Sequence, residues 1–295
     1  MRLLTLFWNS RERRLRAGWR LLVFGALLLL SSIPAGIIMS LDVGTRSSRL
    51  AIAHSLWTVL LFGAALLHQA RWVDWRPFRE YGFRHDPKWG RQLLFGLALG
   101  AALMGLIFGV EMAAGWVRLK PTEARTSPGF HSSDLLFQMM LFISVAIGEE
   151  LTHRGCLLRN LAEGFNPGIR PSRGAALAAG LVGAVAFGFL HADNESASLL
   201  TSLNIAVAGI FLGLCLLWTG SLAIPIGVHF SWNFFQGPVF GFRVSGEDAG
   251  QPLLDIVQGG PSVMTGGAFG PEGGLLSTLA TALGIGAVAL WVRWR

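Results

Sequence analysis

Charge is scarce in this sequence: 14% of its 295 residues are Asp, Glu, Lys or Arg, against 52% apolar and a mean hydropathy of +0.52. So little charge argues against a solvated globular body, and no stretch reads as an independently folding soluble domain. Cysteine is nearly absent as well. Cys156 and Cys215 both lie in apolar, helix-like stretches without CxxC or Cys/His finger spacing, which argues against a disulfide framework or a structural zinc finger. No HExxH motif occurs, and no internal repeat is evident. The first apolar run follows a basic segment but lacks a convincing small-residue cleavage site, so it is expected to stay attached as a helix. The pI near 10.8 does not point to nucleic acid, because the basic residues flank apolar runs and form no solvated stripe.

What is present is lipid-soluble chain. Runs of roughly 20 apolar residues predict spans near 18–40, 50–70, 92–117, 134–158, 174–192, 197–218, 221–241 and 275–292. The expected fold is all-α, a polytopic membrane bundle of about eight transmembrane helices forming one membrane-embedded domain over 1–295. Lys and Arg crowd the amino end, the 71–91 and 159–173 loops and the carboxyl end, and thin out in the 41–49, 118–133 and 242–274 loops. The positive-inside rule then puts both termini in the cytoplasm. Trp19, Trp72, Trp75, Trp89, Trp116, Trp218 and Trp291 fall near span ends, as headgroup-level anchors do. The 242–274 segment, rich in Gly and Pro and holding Glu247, Asp248, Asp255 and Glu272 against Arg243, reads as an exposed loop, and less readily as a cover over an entrance.

Against this background a few polar groups inside the apolar runs stand out, because an ionisable side chain at mid-bilayer costs about 2.5 to 3.5 kcal/mol on insertion scales. The first set is Glu149, Glu150 and Arg154. Glu150 and Arg154 are four residues apart and share a helical face, so they can neutralise each other, whereas Glu149 points about 100° away. Two adjacent acids so deep in a span have no inexpensive structural purpose. The second is His191, four residues after Phe187 and just before a short polar connection; alone it would read as an interfacial histidine. The third is His229 with Asn233, an imidazole and a carboxamide on one helical face, each able to donate a hydrogen bond to an oxygen. An interhelical polar contact would use the same pair.

Taken in order, EExxxR, then FxxxH, then HxxxN in successive apolar spans resembles the CPBP intramembrane proteases, the family of CAAX proteases and bacteriocin-processing proteins that includes the type II CAAX prenyl endopeptidases. The resemblance covers about 134–236, and Phe187-Gly-Phe-Leu-His191 followed by Ala-Asp-Asn is similar to bacterial members. It implies that Glu149 and His191 hold and activate a water, that His229 and Asn233 stabilise the oxyanion, and that Glu150 supports the site through Arg154. His153 departs from the pattern, since many members carry an aromatic residue there; it is a local substitution or an extra polar participant. No Ser or Cys nucleophile is required, so Cys156 and Cys215 read as packing residues.

No cofactor is favoured, although Glu149, His191 and His229 could together form a two-histidine, one-carboxylate zinc site. Glu150 and His153 also have the Glu-x-x-His spacing of di-iron bundles, but the second copy such a site needs does not occur. The expected partners are a lipid bilayer and a peptide or lipidated-peptide substrate, with no nucleic acid. Arg outnumbers Lys in a compact chain, which hints at a bacterial cell membrane. The competing function is a membrane transporter or proton relay built on the same Glu, Arg and His, and a noncatalytic scaffold comes third. One conflict accompanies the enzyme reading: with straight helices on these limits, Glu149 and His191 fall nearly 20 Å apart in depth, so span limits must move or helices must tilt or break.

Overall fold

The computed structural model describes residues 4–10, 12–40, 60–84, 86–121, 132–166, 171–248 and 250–294. In chain order its principal elements are β1 (Trp8–Asn9), β2 (Arg14–Leu15), α1 (Ala17–Ser40), α2 (Pro87–Ala113), β3 (Val117–Leu119), α3 (Ser132–Glu150), α4 (Leu158–Gly164), α5 (Arg173–Phe189), α6 (Leu199–Thr219), α7 (Ala223–Phe234), β4 (Ile256–Gln258) and α8 (Leu275–Arg293). The fold is an all-α polytopic membrane bundle, with two small antiparallel ribbons, β1–β2 and β3–β4, added to it.

Among the described residues, five helical segments are long and apolar enough to cross a membrane: Ala17–Pro34, Pro87–Ala113, Asp134–Gly164, Leu199–Thr219 and Leu275–Arg293. The described residues confirm five spans and not the full count of eight. Much of the expected 50–70 span lies outside the described residues; 60–68 is helical and runs into a π-helical turn, Gln69–Val73. The expected 174–192 span is the 17-residue α5. The expected 221–241 span becomes the 12-residue α7 followed by a five-residue π turn, Phe235–Val239. Six consecutive residues of α7, Ala223 to Val228, are buried in protein, and apolarity alone does not distinguish a protein neighbour from a lipid one.

The chain divides into two compact units, Met1–Arg84 with Ile147–Gly180 and His85–Ala146 with Leu181–Arg295. In the first, buried charges are matched side by side. Glu163 accepts from the guanidinium groups of Arg14, Arg20 and Arg76 at 3.2, 2.9 and 2.9 Å. Asp74 accepts from Gln69, Tyr81 and Asn160 at 2.9, 2.7 and 2.9 Å. Paired in this way, ions that would be costly to bury one by one become tolerable.

The second unit is organised by close helix packing. Asp86 caps α2 by accepting from the Trp89 N–H at 2.7 Å, with Pro87 in the first turn. Ser198 and Thr201 form a capping box at the start of α6, and Gly220, at φ 65°, ends it in the left-handed conformation. Helices α2 and α7 meet along small residues. A Cβ at Gly96 would lie 2.6 Å from the Ile224 carbonyl oxygen, one at Gly100 2.5 Å from that of Val228, and one at Gly227 2.7 Å from that of Leu93. Gly96 and Gly100 on α2, facing Gly227 and Ser231 on α7, are the small-xxx-small spacing that lets membrane helices touch backbone to backbone. Leu103, Met104, Ile107, Phe211, Ile224 and Val228 fill the adjoining core.

The Gly/Pro-rich 242–274 segment contains β4 and several short helical turns. Phe242, Phe269 and Glu272 are buried in it, whereas Leu253, Val257 and Val263 are exposed. Gln258 of β4 donates to the buried Glu111 of α2 at 2.9 Å, which ties the ribbon to the helix.

Candidate active site

Glu149 and Glu150 end α3, and the chain continues without a break through a π-helical turn, Leu151–Leu157, into α4. The whole 31-residue segment Asp134–Gly164 is longer than the expected 134–158 span, and Glu149 lies at its midpoint, about 22 Å from either end at 1.5 Å per residue. That extension changes one side of the expected depth conflict. The π turn starts at the residue after Glu150; such single widened turns concentrate at functional sites. Even so the i,i+4 pair forms: Arg154 Nη1 donates to Glu150 Oε1 at 2.8 Å, with the two side chains 3% and 0% exposed. Glu149 is half-buried, and its backbone carbonyl accepts from His153 Nδ1 at 3.0 Å. His153 therefore supplies a donor to its own helix where the hydrogen-bond ladder changes step.

In the second unit, α5 ends at Phe189 and a tight turn follows, with His191 N donating to the Gly188 carbonyl at 3.3 Å and Ala192 N to that of Phe189 at 3.0 Å. His191 Nδ1 lies 2.8 Å from the Phe187 carbonyl oxygen. A carbonyl only accepts, so Nδ1 carries the proton in this bond, and in the neutral ring the lone pair is on Nε2. The Phe187 ring, itself buried, meets His191 edge-on with centroids 4.9 Å apart and His229 edge-on at 6.3 Å. One aromatic side chain thus stands between the FxxxH and HxxxN segments and touches the imidazole of each. Asn233 lies one turn after His229 on α7, half-buried like it.

The fold makes this contact possible. Gly188 has no room for a side chain, since a Cβ there would lie 2.4 Å from the Ser202 carbonyl, so α5 comes down onto α6 beside Phe187. Phe187, Ile205 and Phe269 form a small buried cluster of their own. Helix α7 is held against α2 by the glycine contacts described above, which sets the height at which His229 and Asn233 are presented.

The expected site residues are therefore distributed as follows: Glu149, Glu150 and Arg154 in the first unit, with Glu150 and Arg154 paired, and His191, His229 and Asn233 in the second, with both histidines against Phe187. Among the described residues of either unit, no group of three His, Cys, Asp or Glu side chains gathers as metal ligands.

Residues 131–235 match the family described as type II CAAX prenyl endopeptidase, Rce1-like. The segment is an Rce1-like domain. It starts one residue before α3, stops at the first residue of the π turn after α7, and contains Glu149, Glu150, Arg154, His191, His229 and Asn233. No curated protein and no solved structure matches the chain. The Rce1-like match supports, at the level of class, an intramembrane CAAX-type protease, and the five long apolar helices make the chain an integral membrane protein.

Outside the Rce1-like domain the structure adds residues that the motifs do not include. Glu272, just before α8, is buried and accepts from Gln236 Nε2 and from the Ser245 N–H. Burial pushes its carboxyl up to about 7 from the usual 4.5, against the opposing effect of those donors. The sequence does carry an acid there, but in a Gly/Pro-rich stretch it passes for one more solvated charge.

Proposed function

We propose that this protein is an intramembrane endopeptidase that hydrolyses a peptide bond in a peptide or lipidated-peptide substrate, of CAAX type or another processing type, at Glu149, His191, His229 and Asn233. The observation that carries the reading is the Phe187 ring edge-on to both His191 and His229 within the Rce1-like segment.

The chemistry follows from the side chains. A water held by the Glu149 carboxylate and the His191 Nε2 lone pair adds its oxygen to the scissile carbonyl carbon while its proton passes to Glu149. General-base help of this kind is worth about 10² to 10⁴ in rate. The carbonyl oxygen becomes an oxyanion, and a His229 N–H and the Asn233 carboxamide donate to it; losing one such donor costs about 10² to 10³ in turnover. Glu149 then returns the proton to the departing amine as the C–N bond breaks. Glu150 acts through Arg154 as a buried counter-charge that holds the helix turn beneath Glu149. From the positions of Lys and Arg we infer cytoplasmic termini, and from the excess of Arg over Lys a bacterial cell membrane.

The test is cleavage of a farnesylated CAAX peptide by the purified protein, by Glu149→Gln, and by wild type in a strong chelator. Loss of more than about 10²-fold in Glu149→Gln with no effect of chelator is expected. Full activity in Glu149→Gln overturns the scheme, and loss in chelator returns zinc, held by Glu149, His191 and His229, to the site.

A further inference from the structure

A carboxylate sealed away from water is costly unless donors meet both its oxygens. Glu272, in the short turn Pro271–Gly273 and outside the Rce1-like segment, meets that requirement with donors from two separate stretches of chain. Oε2 accepts Gln236 Nε2, and Oε1 accepts the Ser245 N–H. Gln236 belongs to the π turn that continues α7, three residues after Asn233, and is itself fixed on both sides: its Nε2 also donates to the Arg243 carbonyl at 2.6 Å, and its Oε1 accepts from Trp232 at 2.9 Å.

The Ser245 side leads to His191. The Ser245 carbonyl accepts Asn194 Nδ2 at 2.9 Å, and the Asn194 N–H in turn donates to the His191 carbonyl at 3.3 Å. The junction of the two loops is held under strain. Ser196 and Ser245, neither of them glycine, take left-handed backbone angles of φ 61° and 51°. Residues persist there only where their surroundings over-determine them, and such positions cluster at working sites. Gly246, at φ 88°, closes the junction; a Cβ on it would lie 2.1 Å from the Glu195 carbonyl oxygen. Arg243 and Glu195 add an ion pair at 2.8 Å across the same seam, and the Gly246 N–H reaches the carbonyl of Phe269, a neighbour of Phe187 in their shared cluster.

We propose that Glu272 is a positioning residue for hydrolysis: through Ser245 and Asn194 it fixes His191, and through Gln236 it fixes the end of the helix that carries His229 and Asn233. The inference rests on the assignment of those three residues proposed above. The 242–274 segment is then a brace, its buried acid joining two pieces of the site that lie far apart in the chain. A displacement of about 1 Å in such a site can cost about 10² in rate even when nothing touching the substrate has changed.

The experiment uses the full chain in detergent with a farnesylated CAAX peptide as probe, comparing wild type, Glu272→Ala, Asn194→Ala and the double variant. A second readout, independent of turnover, is the rate at which diethyl pyrocarbonate modifies His191, followed by peptide mass spectrometry. The expected result is a fall in kcat of about 10- to 100-fold in Glu272→Ala with KM within about twofold, a smaller fall in Asn194→Ala, and a double variant no slower than Glu272→Ala. Glu272→Gln, whose amide oxygen can accept from only one side, should recover part of the loss, and modification of His191 should speed up as kcat falls.

Wild-type kcat and labelling in folded Glu272→Ala, or additive losses in the double variant, overturn the proposal. Should Glu272→Ala aggregate, Asn194→Ala on its half-buried turn carries the test, and wild-type behaviour there overturns the proposal equally. Glu149→Gln and His191→Ala run in parallel separate the two readings. If they are inactive while Glu272→Ala is unimpaired, only the brace falls. If they keep full turnover, the site assignment has failed, and the labelling rate alone decides whether Glu272 holds His191.

Discussion

Removing one partner of the Glu150–Arg154 pair should unfold the protein more readily than removing both. At 2.8 Å, in an environment with an effective dielectric of about 20, the attraction is about 6 kcal/mol. Most of that is offset by the desolvation of two side chains that are 0% and 3% exposed, so the intact pair adds little net stability. A single substitution, Glu150→Gln or Arg154→Gln, removes the charge 2.8 Å from a side chain that stays buried, and costs about 3 to 5 kcal/mol. The double substitution Glu150→Gln/Arg154→Met leaves no buried charge and should cost no more than either single change. The assay is unfolding in a constant detergent, followed by intrinsic tryptophan fluorescence and closed as a double-mutant cycle. Glu149→Gln serves as comparison: on the proposed roles it loses turnover and keeps its stability, whereas Glu150→Gln loses stability first. Single variants as stable as wild type, or a cycle that closes additively, would refute the reasoning that this pair is a buried mutual neutralisation.

Gly96→Val places atoms against the Ile224 carbonyl, 2.6 Å from an added Cβ, and should lower the thermal midpoint by an overpacking cost of about 1 to 3 kcal/mol along with turnover; Gly105→Val on the same helix, with no atom within 4 Å of its Cβ, should leave both unchanged in the same melt and cleavage assays. The carboxyl of Glu272 titrates near 7 in the fold and near 4.5 unfolded, so the fold binds its proton more tightly. Its contribution is complete below about 4.5 and declines as pH rises to about 7, by at most about 3 kcal/mol at 1.36 kcal/mol per tenfold, and melts across that range should flatten in Glu272→Gln. Cys156→Ala and Cys215→Ala should each retain cleavage activity, and both thiols, buried in the fold, should resist maleimide until the protein is denatured.

What could be read in advance follows from the range of the interactions concerned. The Glu150–Arg154 pair needs only a helix and a spacing of four, and it survives even the switch to π geometry at Leu151. The FxxxH spacing likewise brings the Phe187 carbonyl under His191 Nδ1 within a single turn. Contacts that depend on distant chain were not legible. Arg14, Arg20 and Arg76 count as topology signals by position, yet they converge on Glu163, more than eighty residues from any of them. The stretch around α7 has the apolarity of a span because being sealed by α2 and being dissolved in lipid select the same side chains. Nothing in Leu151–Leu157 announces a π turn, whose stability depends on the packing around it. Glu272 looked solvated because its partners, Gln236 and Ser245, are 36 and 27 residues away.

The shortness of α5 has a consequence for the surrounding lipid. Its 17 residues rise about 25 Å, some 5 Å less than an ordinary hydrocarbon core, and the turn that follows bears His191, Asp193, Asn194 and Glu195. Phe189, Leu190 and Leu199, on either side of that turn, are exposed. A helix this short is matched to a bilayer by local thinning, by snorkelling of flanking side chains or by association with a neighbour, each at a fraction of a kcal/mol per ångström, so about 1 to 3 kcal/mol in all. Where thinning is the response, headgroups and their water are drawn inward beside His191, and the polar turn that bears it is wetted from the bilayer side.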